Sequence, residues 1–298
     1  MKGNVLKKFL CTCLVTAAAF AATTISASAC TTIYVGGDLV EEGTPFVART
    51  EDYGSDYNKL WFISESGKWK QGDHYIGCPE YGPFEWDFTH DSYRFTYFTN
   101  DIYYDGICPE CGEKADHYSY TEFGTNEKGV SISATETLYG NEKVTEADPY
   151  RDAEWAEANK SERIGIEETD IPTIILAGAS SAREGVKLLL DIYENYGCVA
   201  ASGVFVCDKD EVWYVENCSG TQYVAIKLNN NMIFLEPNMA VIGRVNLDDE
   251  NVIASKDLIA VAKKAGTFVG DEAKNIIDFR ASYARISEKM DQRMIDGL

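Results

Sequence analysis

Hydrophobic and polar positions along this chain fall into three kinds of pattern. The first is an unbroken apolar run, Phe9 to Ala22, preceded by Lys2, Lys7 and Lys8 and followed by small residues ending Ala27-Ser28-Ala29. The second is a set of short β-branched and aromatic runs bounded by glycine or turn residues, which read as strands. Thr31–Val35 is stopped by Gly36-Gly37, and Pro45–Ala48 follows Gly43-Thr44 and returns antiparallel. Residues 118–135 form a strand pair turning at Asn126–Gly129, and Gly203–Cys207, Glu211–Glu216 and Gln222–Leu228 alternate around turns such as Asp208–Asp210. The third pattern is helical. Ser181 with Glu184 makes a capping box, Val186, Leu189, Leu190 and Tyr193 recur at helical spacing, and Gly197 ends the run. Further helices are expected near 150–159, 255–265 and 271–294. Residues 54–117 are aromatic and rich in Gly and Pro, without a clean period, and read as long loops and short strands forming one wall of a substrate site. Strands paired antiparallel, with helices between and after them, make an α+β protein.

The first thirty residues have a separate meaning. A basic start, an apolar stretch and small residues at −3 and −1 of a cut after Ala29 form the three-part pattern of a secretory signal peptide. The apolar run is short for a membrane span, which needs roughly 20 residues. The expected division is therefore a leader, 1–29, and one domain, 30–298, placed outside the cytoplasm or secreted, with no stable membrane insertion after cleavage. Cleavage removes three lysines together with Cys11 and Cys13, and it makes Cys30 the first residue. Charge adds an exclusion. With 27 Lys+Arg against 48 Asp+Glu the 298-residue chain carries a formal net charge of −21, which repels phosphate and argues against nucleic acid and anionic membranes as partners.

A cysteine at the cut has three readings: half of a disulfide in an oxidising compartment, a lipid anchor, or an N-terminal nucleophile. Lipidation signals usually carry Leu at −3, where this chain has Ala27. An N-terminal amine titrates near 7.7–8.0, so it can take the thiol proton of its own residue without a histidine. The chain has only His74, His90 and His117, and neither an HExxH nor a papain-type cysteine signature. The hairpin beginning at residue 31 supports the nucleophile. Its second strand ends in Arg49-Thr50-Glu51-Asp52, and a hairpin of this size brings that end back beside Cys30. Arg49 is then a cation for the thiolate and Asp52 a carboxylate for the α-ammonium.

The run ACTTIYVGGDLVEEGTPFVARTEDYG resembles the start of the secreted cysteine dipeptidases of the dipeptidase A type, which are Ntn-hydrolases. TEFGTNEKGVSISATET at 121–137, ADPY at 147–150, IPTIILAGASSAREGVKLLLDIYENYG at 171–197, EVWYVENCSGTQYVAIKL at 211–228 and EPNMAVIGRVNL at 236–247 continue the resemblance in order. It implies an αββα sandwich of two mainly antiparallel sheets, a small peptide substrate, and Cys30 exposed by processing as the nucleophile. More distantly the chain is similar to the penicillin V acylase and bile-salt hydrolase group, which implies Arg49 and Asp52 beside the nucleophile, Asn238 as an oxyanion-hole residue, and N-acyl amide hydrolysis as an alternative activity. A non-catalytic lipoprotein anchored through Cys30 is a third possibility. Two departures stand out. Members of the group are usually longer, so a C-terminally shortened domain is expected, and the final arginine of the acylase-type site has only Arg280 and Arg285 as candidates. Glu136 also stands where the acylases carry asparagine, so the first oxyanion donor is expected to be a backbone N–H.

Six cysteines remain: Cys78, Cys108, Cys111, Cys198, Cys207 and Cys218. Up to three disulfides are the favoured expectation for an exported chain. Cys108-Pro109-Glu110-Cys111 leaves open a zinc site completed by Cys78 and His117, or a redox pair. No organic cofactor is expected, since the GAS and GG pairs read as turns and not as a phosphate-binding loop.

Overall fold

Asn126 shows how one hairpin is fixed to the rest of the chain. Its side-chain oxygen accepts from the backbone N–H groups of Lys128 and Val130, at 3.0 Å each. Its amide donates to the carbonyls of Leu176 and Ala179, at 2.9 and 2.7 Å. Gly129, at φ +82°, supplies the left-handed residue the turn requires. One buried side chain therefore closes a turn and ties it to a helix end.

The computed structural model describes residues 30–51, 59–77, 84–100 and 121–285, so the leader expected at 1–29 lies outside the described residues. In chain order the first strands are β1 (Thr31–Val35), β2 (Phe46–Thr50), β3 (Lys59–Ser64), β4 (His74–Ile76), β5 (Glu85–Asp87), β6 (Phe95–Asn100), β7 (Phe123–Asn126) and β8 (Ser131–Thr137). Four helices follow: α1 (Glu142–Ala147), α2 (Ala153–Asn159), α3 (Ile171–Gly178) and α4 (Ala182–Asn195). Then come β9 (Ser202–Cys207), β10 (Val212–Asn217), β11 (Tyr223–Lys227), β12 (Ile233–Glu236), β13 (Arg244–Asn246) and β14 (Val252–Ala254). The described chain closes with α5 (Leu258–Ala265), β15 (Gly270–Asp271), β16 (Ile276–Asp278) and α6 (Phe279–Tyr283).

Eight strands form one antiparallel sheet in the order β14-β11-β10-β9-β8-β7-β6-β3, and a second sheet has the order β12-β1-β2. On one face of the large sheet Val204, Val206, Trp213 and Val215 meet Ile174, Ile175, Val186 and Leu189 of α3 and α4. On the other face Phe205 and Tyr214 meet Phe234 of the small sheet, with ring centroids 6.0 and 4.9 Å apart. β9 and β10 are covered on both sides, so their sequences are almost continuously apolar. Helix layer, large sheet and small sheet are stacked in that order, an α+β arrangement with the two stacked antiparallel sheets that the resemblance implies. On the outer face of the small sheet Phe46 and Ile233, both paired with Val35, remain 47% and 58% exposed.

Several expectations are corrected here. Within 54–117, where loops and short strands are expected, β3 and β6 are six-residue strands that extend the large sheet at one edge. The helix expected over 271–294 is interrupted. Asn275 takes a left-handed φ of +53°, and β16 pairs with β13 and β15, so the backbone bonds of 276–278 go to a small sheet. Among the described residues of that range, Glu272–Lys274 make a 3-10 turn and Phe279–Tyr283 a short α-helix, and residues beyond 285 lie outside the described set. Cys198, Cys207 and Cys218 make no disulfide. The Cys198 sulfur accepts from the Asn217 amide at 2.8 Å and donates to the Ser219 carbonyl at 3.2 Å, so buried thiols replace the bridges expected of these three. Cys78, Cys108, Cys111 and His117, the residues of the disulfide and metal alternatives, lie outside the described residues. Among the described residues no helix is long and apolar enough to cross a membrane.

Candidate active site

The small sheet brings three distant segments to one edge. Antiparallel pairing sets Thr31 against Thr50 and Thr32 against both Arg49 and Glu236. Cys30, the end of β2 and the end of β12 therefore meet at the same side of the sheet. Alternation along β2 turns Arg49 the same way as Val47, toward the interior. Its Nη2 lies 3.4 Å from the buried Cys30 sulfur. A fixed guanidinium at that distance favours thiolate over thiol. Asp52, the expected partner of the α-ammonium, lies outside the described residues, as does the side chain of Glu136.

Asn238 sits two residues past β12, at φ +51°. Asparagine is among the few side chains that tolerate this left-handed conformation, so the chain can turn sharply away from the sheet edge there. Two fully buried carboxyls hold the segment that follows. Glu236 Oε1 accepts from the Met239 N–H at 3.3 Å. Glu216 Oε1 accepts from the Val241 N–H at 2.6 Å and from the Tyr214 hydroxyl at 3.0 Å, and its Oε2 accepts from the Ile242 N–H at 3.2 Å. Burial pushes the Glu216 carboxyl up to about 7, against the opposing effect of these hydrogen bonds and of the Arg280 charge. Of the two arginines considered for the last position, Arg280 thus adjoins Glu216, and its backbone N–H donates to Ile242 at 2.8 Å. Arg285 instead stacks on Tyr139, 4.3 Å from the ring centroid.

The described histidines are held elsewhere. His74 Nδ1 is 2.8 Å from Asp87, and His90 Nε2 is 2.9 Å from the Gly178 carbonyl. Burial raises the thiols of Cys198, Cys207 and Cys218, which suits packing more than nucleophilic chemistry.

The structure brings the expected Cys30 and Arg49 together and sets Asn238 just past β12, and it places near them acids that sequence reasoning did not consider. Glu216 did carry a signal, a lone charge in the otherwise apolar strand VWYVEN. Glu51, Lys59 and Glu122 form a second missed group. Lys59 Nζ bonds the carboxyls of both glutamates. Lys59 and Glu122 are 63 residues apart, and no local pattern links them.

A thiol and a guanidinium at one edge of a two-sheet α+β fold, beside an asparagine loop clamped by buried carboxyls, is an arrangement suited to thiol-dependent hydrolysis. Comparison with known proteins agrees. The model of Peptidase family C69 matches residues 29–294, and the chain belongs to that family. "Probable dipeptidase B" of Streptococcus pyogenes serotype M3 is 34% identical over 253 residues, which are 83% of this chain and 44% of the relative. "Probable dipeptidase" of Salmonella dublin is 32% identical over 262 residues, 86% of this chain and 53% of the relative. The chain thus spans about half the length of the curated relatives it matches. Among solved structures, conjugated bile acid hydrolase from Clostridium perfringens aligns with 81% of this chain and 59% of its own, at 13% identity and a TM-score of 0.31; the fold assignment above rests on the sheets themselves.

Proposed function

We propose that this chain forms the catalytic part of an exported cysteine peptidase that hydrolyses amide bonds of dipeptides or small peptides, with Cys30 as an N-terminal nucleophile. The observation that carries the reading is the 3.4 Å contact between the Cys30 sulfur and Arg49 at the sheet edge shared with the Asn238 turn. Membership of Peptidase family C69 and similarity to dipeptidases support the reaction class. The three-part leader supports export.

In this mechanism removal of residues 1–29 frees the Cys30 amine. The neutral amine takes the thiol proton, and Arg49 stabilises the resulting thiolate. Thiolate attacks the substrate carbonyl carbon, and charge collects on the carbonyl oxygen, where Asn238 and a backbone N–H donate. Collapse of the adduct breaks the C–N bond, and the Cys30 ammonium returns the proton to the leaving amine. Water, deprotonated by the same amine, attacks the thioester and releases the acid with Cys30 restored.

The test combines mass spectrometry with kinetics on the exported protein. Residue 30 is expected as a free N-terminus, and Cys30→Ala and Cys30→Ser are expected to abolish dipeptide hydrolysis. Diacylglycerol on Cys30, or turnover retained in both variants, overturns the proposal. Faster hydrolysis of N-acyl amides than of dipeptides moves the substrate class to the acylase type.

A further inference from the structure

Away from the Cys30 edge the small sheet is apolar on both faces, and only one of them is covered. The inner face, with Tyr34, Val47 and Phe234, packs into the core against the large sheet. The outer face is built from two cross-strand rows, Phe46-Val35-Ile233 and Ala48-Ile33-Leu235. Phe46, Ala48 and Ile233 are exposed, and the other three are half-buried. An antiparallel sheet that turns one face to water normally alternates apolar with polar positions, yet these six carry no polar side chain. A contiguous apolar patch of this kind marks an interaction surface. Its end at Phe46, Val35 and Ile233 is bordered by residues 36–45 and 229–232, all of them described.

We propose that this outer face is a docking surface for an amphipathic helix of a partner polypeptide, with an aliphatic stripe against the two rows and Lys or Arg along its flank. Three strands spaced about 4.8 Å apart, with about five residues at about 3.3 Å each, give a face of roughly 14 by 16 Å. A helix is about 10–12 Å across and rises about 1.5 Å per residue, so about 11 residues cover it. A second copy of the chain fits poorly. A stable interface takes about 800 Å² from each partner, and this face offers in plan roughly a quarter of that.

Charge decides the sign of the flank. The connection between β1 and β2 carries Asp38, Glu41 and Glu42, all exposed, and neither 31–48 nor 228–236 contains a Lys, Arg or His. A second copy brings the same acids, and the net charge of −21 repels it and anionic surfaces alike. A basic segment is attracted instead. The acids at the sheet tip then steer the helix in and set its direction, while the apolar rows hold it. Arg49 points to the opposite face of the same sheet, so the inference does not rest on the catalytic reading.

The probe is a fluorescein-labelled synthetic peptide of about 14 residues, with Leu and Lys arranged as an amphipathic helix, and a Leu/Glu peptide of the same pattern is its control. Anisotropy titrations use the processed protein in about 150 mM NaCl, where distant charges are largely screened. The Leu/Lys peptide is expected to bind at least about tenfold more tightly than the Leu/Glu peptide. Phe46→Ser combined with Ile233→Ser leaves the net charge unchanged, and a melting curve checks its fold. This double variant is expected to weaken Leu/Lys binding at least about tenfold, because two large apolar side chains leave the contact. Undiminished binding by the double variant overturns the proposal, and so does equal binding of the two peptides. Sedimentation velocity adds one more outcome: self-association of the parent protein that the double variant abolishes assigns the face to a second copy and overturns the partner helix. Ile233→Thr keeps a β-branched residue in the strand. If the double variant does not fold, unchanged binding by I233T overturns the proposal.

Discussion

The Arg49 guanidinium lies 3.4 Å from the Cys30 sulfur, and the register of β1 against β2 puts it there. Thr32 pairs with Arg49 and Thr31 with Thr50, so the sheet brings the strand end that carries the guanidinium alongside the residue just before β1 that carries the thiol. Backbone bonds are rigid compared with a long side chain, so the arginine pays its ordering entropy largely through the fold.

Arg49→Ala is expected to lower kcat/KM for a dipeptide by about 10- to 100-fold, the range for losing a charge-assisted hydrogen bond of about 1.5–3 kcal/mol. Arg49→Lys keeps the charge but loses the planar fork, and an intermediate loss is expected. Steady-state kinetics of both variants check this. Equal activity of R49A and the parent protein would show that the contact does no chemical work.

Glu216 tests whether the Asn238 turn is clamped. Its carboxylate accepts from Val241 and Ile242, and Glu216→Ala leaves both donors buried without that partner. A loss of about 2–5 kcal/mol is expected, together with a fall in kcat as Asn238 loses its fixed position. Glu216→Gln retains an acceptor oxygen and is expected to lose less. Urea unfolding of the two variants makes the comparison, and a glutamine variant as unstable as the alanine variant contradicts the clamp.

How much of this was legible in the sequence depends on the range of the interaction. The capping box at 181–184 is local, and the Ser181 hydroxyl does accept from the Glu184 N–H at 3.2 Å. The β1–β2 hairpin is also local, and it delivered Arg49 to Cys30. By contrast, α3 went unread because Ile171 to Ala177 are all buried, leaving no polar face to reveal the helical period. The strands expected within 54–117 had no assigned bounds or partners: β3 and β6 pair at one edge of the large sheet, a relation between residues 59 and 100 that no short window contains. Asn238 came through the family resemblance, since nothing in its own neighbourhood marks it. The acids behind the site were missed because hydrogen bonds such as Lys59 to Glu122 exist only once β3, β6 and β7 are assembled at the edge of the large sheet.

Thiol state offers an independent check of the core. Cys198 and Cys218 are buried without disulfides, and Cys207 is partly so. Without reductant, these three are expected to resist alkylation in the native protein and to react fully after denaturation in guanidinium, as mapped by peptide mass spectrometry. Recovery of any of them in a disulfide contradicts the packing of Cys198 against Asn217 and Ser219.

Stability is expected to rise as the medium is acidified from neutral pH, and the sign follows from the buried acids. Burial raises Asp170 and Glu216 to about 7 each, against the hydrogen bond from Tyr75 in the first case and those from Val241, Ile242 and Tyr214 in the second. Between the ordinary carboxylate range and pH 7 the folded chain holds protons that the unfolded chain has released. Unfolding then liberates protons, so stability falls as pH rises through about 4.5–7 and levels off above. Two such groups contribute at most about 2.7 kcal/mol per pH unit within that window, and Glu122, also raised to about 7, acts in the same direction. The net charge of −21 adds self-repulsion that relaxes on acidification too. Asp170→Asn with Glu216→Gln separates the two causes, because it removes both titrations and changes the net charge by little. The double variant is expected to lose most of the melting-temperature difference between pH 5 and pH 7.5. An undiminished difference assigns the effect to surface charge and contradicts the buried-acid account.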